Sequence, residues 1–168
     1  MTFPTPGEYV INTEFRRNAD IAEIHDRQVV TIAGTAPAPV AVTAGPSSQV
    51  VDGVQVDLIG TARVGETSDL TFRFRDAATG APLHNLQPYL AAPGHVVIMR
   101  ADAETFAHEH ADVRDSDDKP VFALPGQTFG PELPVHVHFD TAGTYRLWGQ
   151  FRVASGQVIT VPFTITAH

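Results

Sequence analysis

Apolar residues at every second position are what most constrain this chain. Val54, Val56 and Leu58 alternate with polar neighbours, as do Leu70, Phe72 and Phe74, and this is the pattern of strands that bury one face. No segment carries a convincing helical stripe. Turn-forming residues fall at Asp76 to Gly80, Pro93-Gly94, Pro125-Gly126, Ala142-Gly143 and Ser155-Gly156, close to the spacing of a two-sheet sandwich. Seven or so strands are expected from about Gln49 to Thr166. Their core should draw on Leu70, Phe72, Phe74, Val96, Ile98, Val135, Val137, Tyr145, Leu147 and Phe163. The chain has 168 residues, and a sandwich of this kind needs about 100, so one complete all-β domain fits and two do not.

The stretch 35–48 carries Pro37, Pro39 and Pro46 among small residues. Proline cannot donate to a ladder, so this stretch reads as a linker and 49–168 as the domain. Ahead of the linker, Glu8 to Arg16 and Gln28 to Ala33 read as two strands, joined by a polar loop that includes His25. An internal repeat explains them. Phe3, Thr5, Gly7, Tyr9, Phe15 and Arg16 recur with identical spacing as Phe139, Thr141, Gly143, Tyr145, Phe151 and Arg152, and fixed-spacing identity marks duplicated units. Residues 1–34 are therefore expected to be the terminal hairpin of an incomplete preceding copy. Two strands alone do not make a stable domain. With Tyr9, Ile11 and Phe15 on one face, the hairpin is expected to dock on the sandwich or on a second chain, the latter giving a homodimer.

Composition removes several function classes. Lys plus Arg number 11 against 19 Asp plus Glu, a formal net charge of -8, and the cations are scattered, so nucleic acid is not an expected partner. No run of about 18 apolar residues is present and no signal-peptide pattern opens the sequence, so no membrane insertion is expected within this chain. Cysteine is absent, which removes disulfides, thiolate metal sites and cysteine nucleophiles together. Neither a nucleophile elbow nor a phosphate loop nor a paired-carboxylate motif occurs. A binding module is expected rather than an enzyme. A metal-dependent hydrolase is the alternative, through a three-histidine metal with an open position.

Eight histidines in so acidic a chain decide where to look for function. Residues two apart on a strand share a face, about 7 Å apart along the chain, so His108 and His110 can converge on one ion, and so can His136 and His138. His95 opens the apolar strand Val96 to Met99. If that strand pairs with the one carrying His108 and His110, His95 can supply a third nitrogen, and Met99 shares its face by parity. Asp112 is a candidate outer partner for a ring N–H. Imidazole suits zinc and copper, and the absence of a thiolate argues against a blue-copper centre, leaving a nitrogen-rich copper or zinc site. The competing reading has histidines that hydrogen-bond to backbone at a strand end. For His136 and His138 it has them tiling an exposed sheet, because Leu133, Val135, Val137 and Phe139 form the inward face. His84 and His168 read as surface, and the Asp115 to Lys119 run as a solvated turn.

Several segments carry a family resemblance: Leu86-Gln87-Pro88-Tyr89-Leu90, Gly94-His95-Val96-Val97, Phe106-Ala107-His108-Glu109-His110, Gly130-Pro131-Glu132 and Gly143-Thr144-Tyr145-Arg146-Leu147-Trp148. In order and spacing they resemble bacterial, often actinobacterial, secreted or membrane-anchored proteins built from tandem immunoglobulin-like domains. The resemblance runs from about Val51 to the C-terminus. It implies an immunoglobulin-like, copper-resistance-protein-like β-sandwich with an extra N-terminal hairpin, an extracytoplasmic location, and a role in copper or other heavy-metal handling. The family's His-x-His is usually followed by proline, whereas His110 is followed by Ala111; both imidazoles stay in place. A non-catalytic structural or interaction domain with pH-responsive histidines is the alternative function.

Overall fold

The structure, a computed structural model, describes residues 2–15, 24–115, 117, 119, 121 and 123–168. Arg16 of the repeat, and Ser116 and Asp118 of the acidic turn, lie outside the described residues. The chain divides into two compact units, Met1–Ala41 and Val42–His168.

The first unit holds an antiparallel pair, β1 (Gly7–Phe15) and β2 (Ile24–Ile32), in register from Gly7 opposite Ile32 to Phe15 opposite Ile24. Its entry is fastened locally: the Tyr9 hydroxyl donates to the Thr5 carbonyl at 2.8 Å, and the Phe3 ring lies 4.7 Å from that of Tyr9. His25, expected in a loop, lies instead on β2 opposite Glu14, with Nε2 3.2 Å from Asn12 Oδ1. The polar run Ile24 to Gln28 is exposed at every position. It is held by the backbone ladder without burying a face, so it lacks the alternation that marks a strand.

Among its described residues the second unit contains eight strands: β3 (Ser48–Val51), β4 (Val54–Ile59), β5 (Thr67–Asp76), β6 (His95–Arg100), β7 (Phe106–His110), β8 (Glu132–His138), β9 (Gly143–Arg152) and β10 (Val158–Ala167). Among the described residues there is no helix. The strands form two four-stranded sheets, ordered β3-β4-β5-β8 and β10-β9-β6-β7, with every ladder antiparallel. The eighth strand is the short β3, turned into β4 by Asp52-Gly53, both at positive φ, the chemistry of a two-residue hairpin. Upstream of β3, Gly45 donates to the Thr164 carbonyl and Ser47 accepts from Leu58.

Both sheets contribute to one core. Val56, Phe72, Phe74, Leu133 and Val135 of one meet Val96, Leu147, Phe151, Val161 and Phe163 of the other, all nearly inaccessible to solvent. Every residue that alternation placed in the core is buried there. Phe72, Phe74, Phe151 and Phe163 pack ring on ring at 4.7 to 5.9 Å, geometries that add to simple burial. At the start of β9 the fastening of the first unit recurs. The Tyr145 hydroxyl donates to the Thr141 carbonyl at 2.7 Å, and Phe139 lies 4.9 Å from Tyr145. Trp148 has the parity of Arg146 and Gln150 in β9, on the outer face, and is half-buried there.

Candidate metal centre

The site is built on the outer face of the β10-β9-β6-β7 sheet. Immediately before β6 the chain passes Gly94, where an added Cβ would stand 2.5 Å from the Phe151 ring. Only glycine lets the backbone come so close. β6 then runs between β9 and β7, with Val96 and Ile98 turned into the core. Parity turns His95, Val97 and Met99 to the outer face. Register sets His95 opposite His110 and Val97 opposite His108, so the strand pairing the sequence required does bring the three imidazoles together.

One ring nitrogen from each of His95, His108 and His110 lies within 4.8 Å of the others. His95 Nδ1 is 3.1 Å from His108 Nε2. The ring centroids are 5.3 Å apart for His95 and His108, 4.5 Å for His95 and His110, and 5.0 Å for His108 and His110. Nitrogens held about 2.0–2.1 Å from one tetrahedral ion would sit roughly 3.3 Å from each other, close to the observed His95–His108 spacing. His108 is half-buried and His110 exposed, so the group opens to solvent on the His110 side.

His95 itself is buried although it sits on the outer face. The cover is the loop before β6. It is tied down where Gln87 N–H donates to the Arg152 carbonyl at 2.8 Å, and the Tyr89 ring stands edge-on to His95 at 5.5 Å. The Tyr89 carbonyl lies 2.8 Å from His95 Nε2, which fixes the proton on Nε2 and leaves Nδ1 as a lone pair facing His108. Burial depresses the His95 pKa below its ordinary value. The hydrogen bond to Tyr89 opposes that, and the neighbouring His108 adds to it. The ring is thus held neutral, the state that ligates a metal.

The Tyr89 segment closes on itself, Tyr89 and Ala92 exchanging both backbone hydrogen bonds. The two residues of the turn, Leu90 and Ala91, have φ of 47° and 65°. Such a turn favours Asn-Gly, and two side chains in left-handed conformation are strain held in place by their surroundings.

The other sequence candidates lie elsewhere. His136 and His138 are on β8, on the outer face of the opposite sheet, and do not join the three. His136 Nδ1 is 2.7 Å from Asp69 and its Nε2 3.5 Å from Asp112, while His138 Nε2 is 3.3 Å from Asp140. Asp112, expected to support the converging imidazoles, pairs with Arg114 at 2.8 Å and faces His136, because the chain beyond β7 crosses to β8, where Asp112 N–H donates to the Pro134 carbonyl. Met99 shares the His95 face but stands four residues along the strand, about 13 Å away, beside Trp148 and Arg146. His84 is exposed in a loop and His168 is the exposed terminal residue. The sequence reading did not find Tyr89, whose contribution is a backbone carbonyl and leaves no signature in residue type.

Residues 49–168 match the profile of DUF8832, a domain of unknown function. The chain belongs to this family. The DUF8832 region contains all three converging histidines and leaves out the N-terminal hairpin. Among solved structures the chain is similar to one provisionally described as a lipoprotein from Bacillus anthracis, with 13% identity and a TM-score of 0.38 over 76% of this chain and 88% of that one. No curated protein matches the sequence.

Proposed function

We propose that this DUF8832 domain is an extracytoplasmic metal-binding module that holds a copper or zinc ion through His95, His108 and His110, in metal homeostasis or transfer. One observation carries the reading: His95 spends its Nε2–H on the Tyr89 carbonyl and keeps an Nδ1 lone pair 3.1 Å from His108 Nε2. An imidazole oriented by a carbonyl on its far nitrogen is the usual arrangement of a metal-ligating histidine. Three neutral nitrogens without a thiolate suit zinc or copper, and three protein ligands leave one position for water or an incoming donor.

The immunoglobulin-like reading is supported by the strand order and by the Tyr145–Thr141 bond at the start of β9, since a tyrosine bonded a few residues upstream is a hallmark of such sandwiches. The extracytoplasmic location rests on the sequence resemblance. Binding is favoured over hydrolysis because, among the described residues, the converging group contains histidines alone and offers no carboxylate as general base. The competing reading is a structural or interaction domain whose histidines respond to pH. It draws on the fact that the His95 hydrogen bonds are satisfied without an ion.

Elemental analysis of protein purified without a histidine tag should find close to one equivalent of copper or zinc. In calorimetric titrations, replacing both His108 and His110 by Ala should weaken binding at least 100-fold, since even a lost outer partner costs 10–100-fold in affinity. Unchanged affinity in the double variant overturns the assignment of the site, and no binding of either metal overturns the function.

A further inference from the structure

Beside the Tyr89 turn lies a cavity of about 540 Å³, within the range of small-molecule sites. Its walls are mainly apolar, with Pro88, Leu90 and Pro125 among them. Among its described lining residues a single one is charged, Arg152. The Arg152 guanidinium lies over the Tyr89 ring at 5.4 Å. Among the described residues it has no ion pair, and its Nε is buried with no hydrogen-bond partner. In a chain with 19 acidic residues against 11 basic ones, an arginine left without a carboxylate at the wall of an apolar cavity calls for an explanation.

Two of the polar groups beside it can also donate. Gln127 Oε1 accepts from Leu124 N–H at 2.7 Å, which leaves the amide N–H groups of Gln127 as its unspent polarity. The Thr128 hydroxyl also lines the cavity. A guanidinium, an amide N–H and a hydroxyl within apolar walls match an acceptor-only, negatively charged head on a short apolar body. A carboxylate is the head that a planar guanidinium holds with two parallel hydrogen bonds.

We propose that this cavity is a binding site for a small apolar carboxylate, with Arg152 as the residue that recognises its charge. The site is independent of the metal reading, and its test uses metal-free protein. The strained Leu90-Ala91 turn forms one wall, and Leu90 is 71% exposed there, so an apolar ligand would cover a side chain that the fold leaves in water.

The full chain, labelled with ¹⁵N, would be titrated with hexanoate and, separately, with hexanamide, its uncharged counterpart. Hexanoate is expected to shift the amides of Gln87, Leu90, Ala91 and Gly126 to Thr128, and to bind about tenfold or more tighter than hexanamide, as a charge-assisted bidentate contact implies. Arg152→Gln should abolish that preference, while Arg152→Lys should keep part of it. Equal affinity for the two compounds, or shifts outside the cavity, overturns the proposal. So does the absence of any shift at millimolar hexanoate. The comparison of the two compounds on the unaltered protein stands even if Arg152→Gln fails to fold.

Discussion

His95 is the residue on which chemistry and stability meet. Its pKa is depressed from 6.5 chiefly by burial, so below that value an unfolded chain takes up a proton that the folded one refuses. Its contribution to stability in the metal-free protein is therefore complete above about pH 6.5 and is lost as pH falls towards the depressed folded value. Thermal melts of metal-free protein from pH 8 to pH 5 should show Tm falling across that window. His95→Gln should flatten this part of the profile, and an unchanged slope would exclude His95 as its source. At this scale parity made His95, His108 and His110 legible, because strand alternation fixes which side chains share a face. It could not reveal which nitrogen of His95 faces inward. The Tyr89 carbonyl decides that, and every residue type carries one.

Between the residue and the domain, the hairpin turn Leu90-Ala91 works against its own backbone. A left-handed conformation costs a non-glycine residue roughly 1–2 kcal/mol, and glycine gives back part of that in a freer unfolded chain. Ala91→Gly is accordingly expected to stabilise the protein by about 1 kcal/mol, a rise of a few degrees in Tm. A lower Tm would mean that the Ala91 side chain contributes more than its conformation costs. The turn was not legible in the sequence, since Leu-Ala is not a turn dipeptide and tertiary contacts impose the shape. The same kind of override placed His25 on β2, where ladder pairing needs no apolar alternation. Strands with a buried face, such as β4, β5 and β8, were read directly from Val54 to Leu58, Leu70 to Phe74 and Leu133 to Val137, because there burial and period coincide.

The largest scale is that of a sandwich and a hairpin that shares residues with it at one spacing. Since the core of Val42–His168 is drawn, among the described residues, from residues 51 to 167, deleting residues 1–34 should leave its cooperative unfolding intact, with Tm changed by no more than a few degrees. Weighed by light scattering, the same two proteins also test strand exchange, which requires a dimer with the hairpin present and a monomer without it. The shared spacing was legible in the sequence, from Phe3 to Phe15 and again from Phe139 to Phe151. What the letters did not disclose is that both segments close the same hydroxyl-to-carbonyl bond, Tyr9 to Thr5 and Tyr145 to Thr141. That bond spans four residues, so the entropy of closing its loop is small and it can form before any distant strand has arrived. Two segments so alike in one polypeptide carry a kinetic hazard, the mating of a strand of one with the partner of the other. A latch that closes within its own first turn would favour pairing inside each hairpin over exchange between two segments that their sequences alone would allow to be swapped.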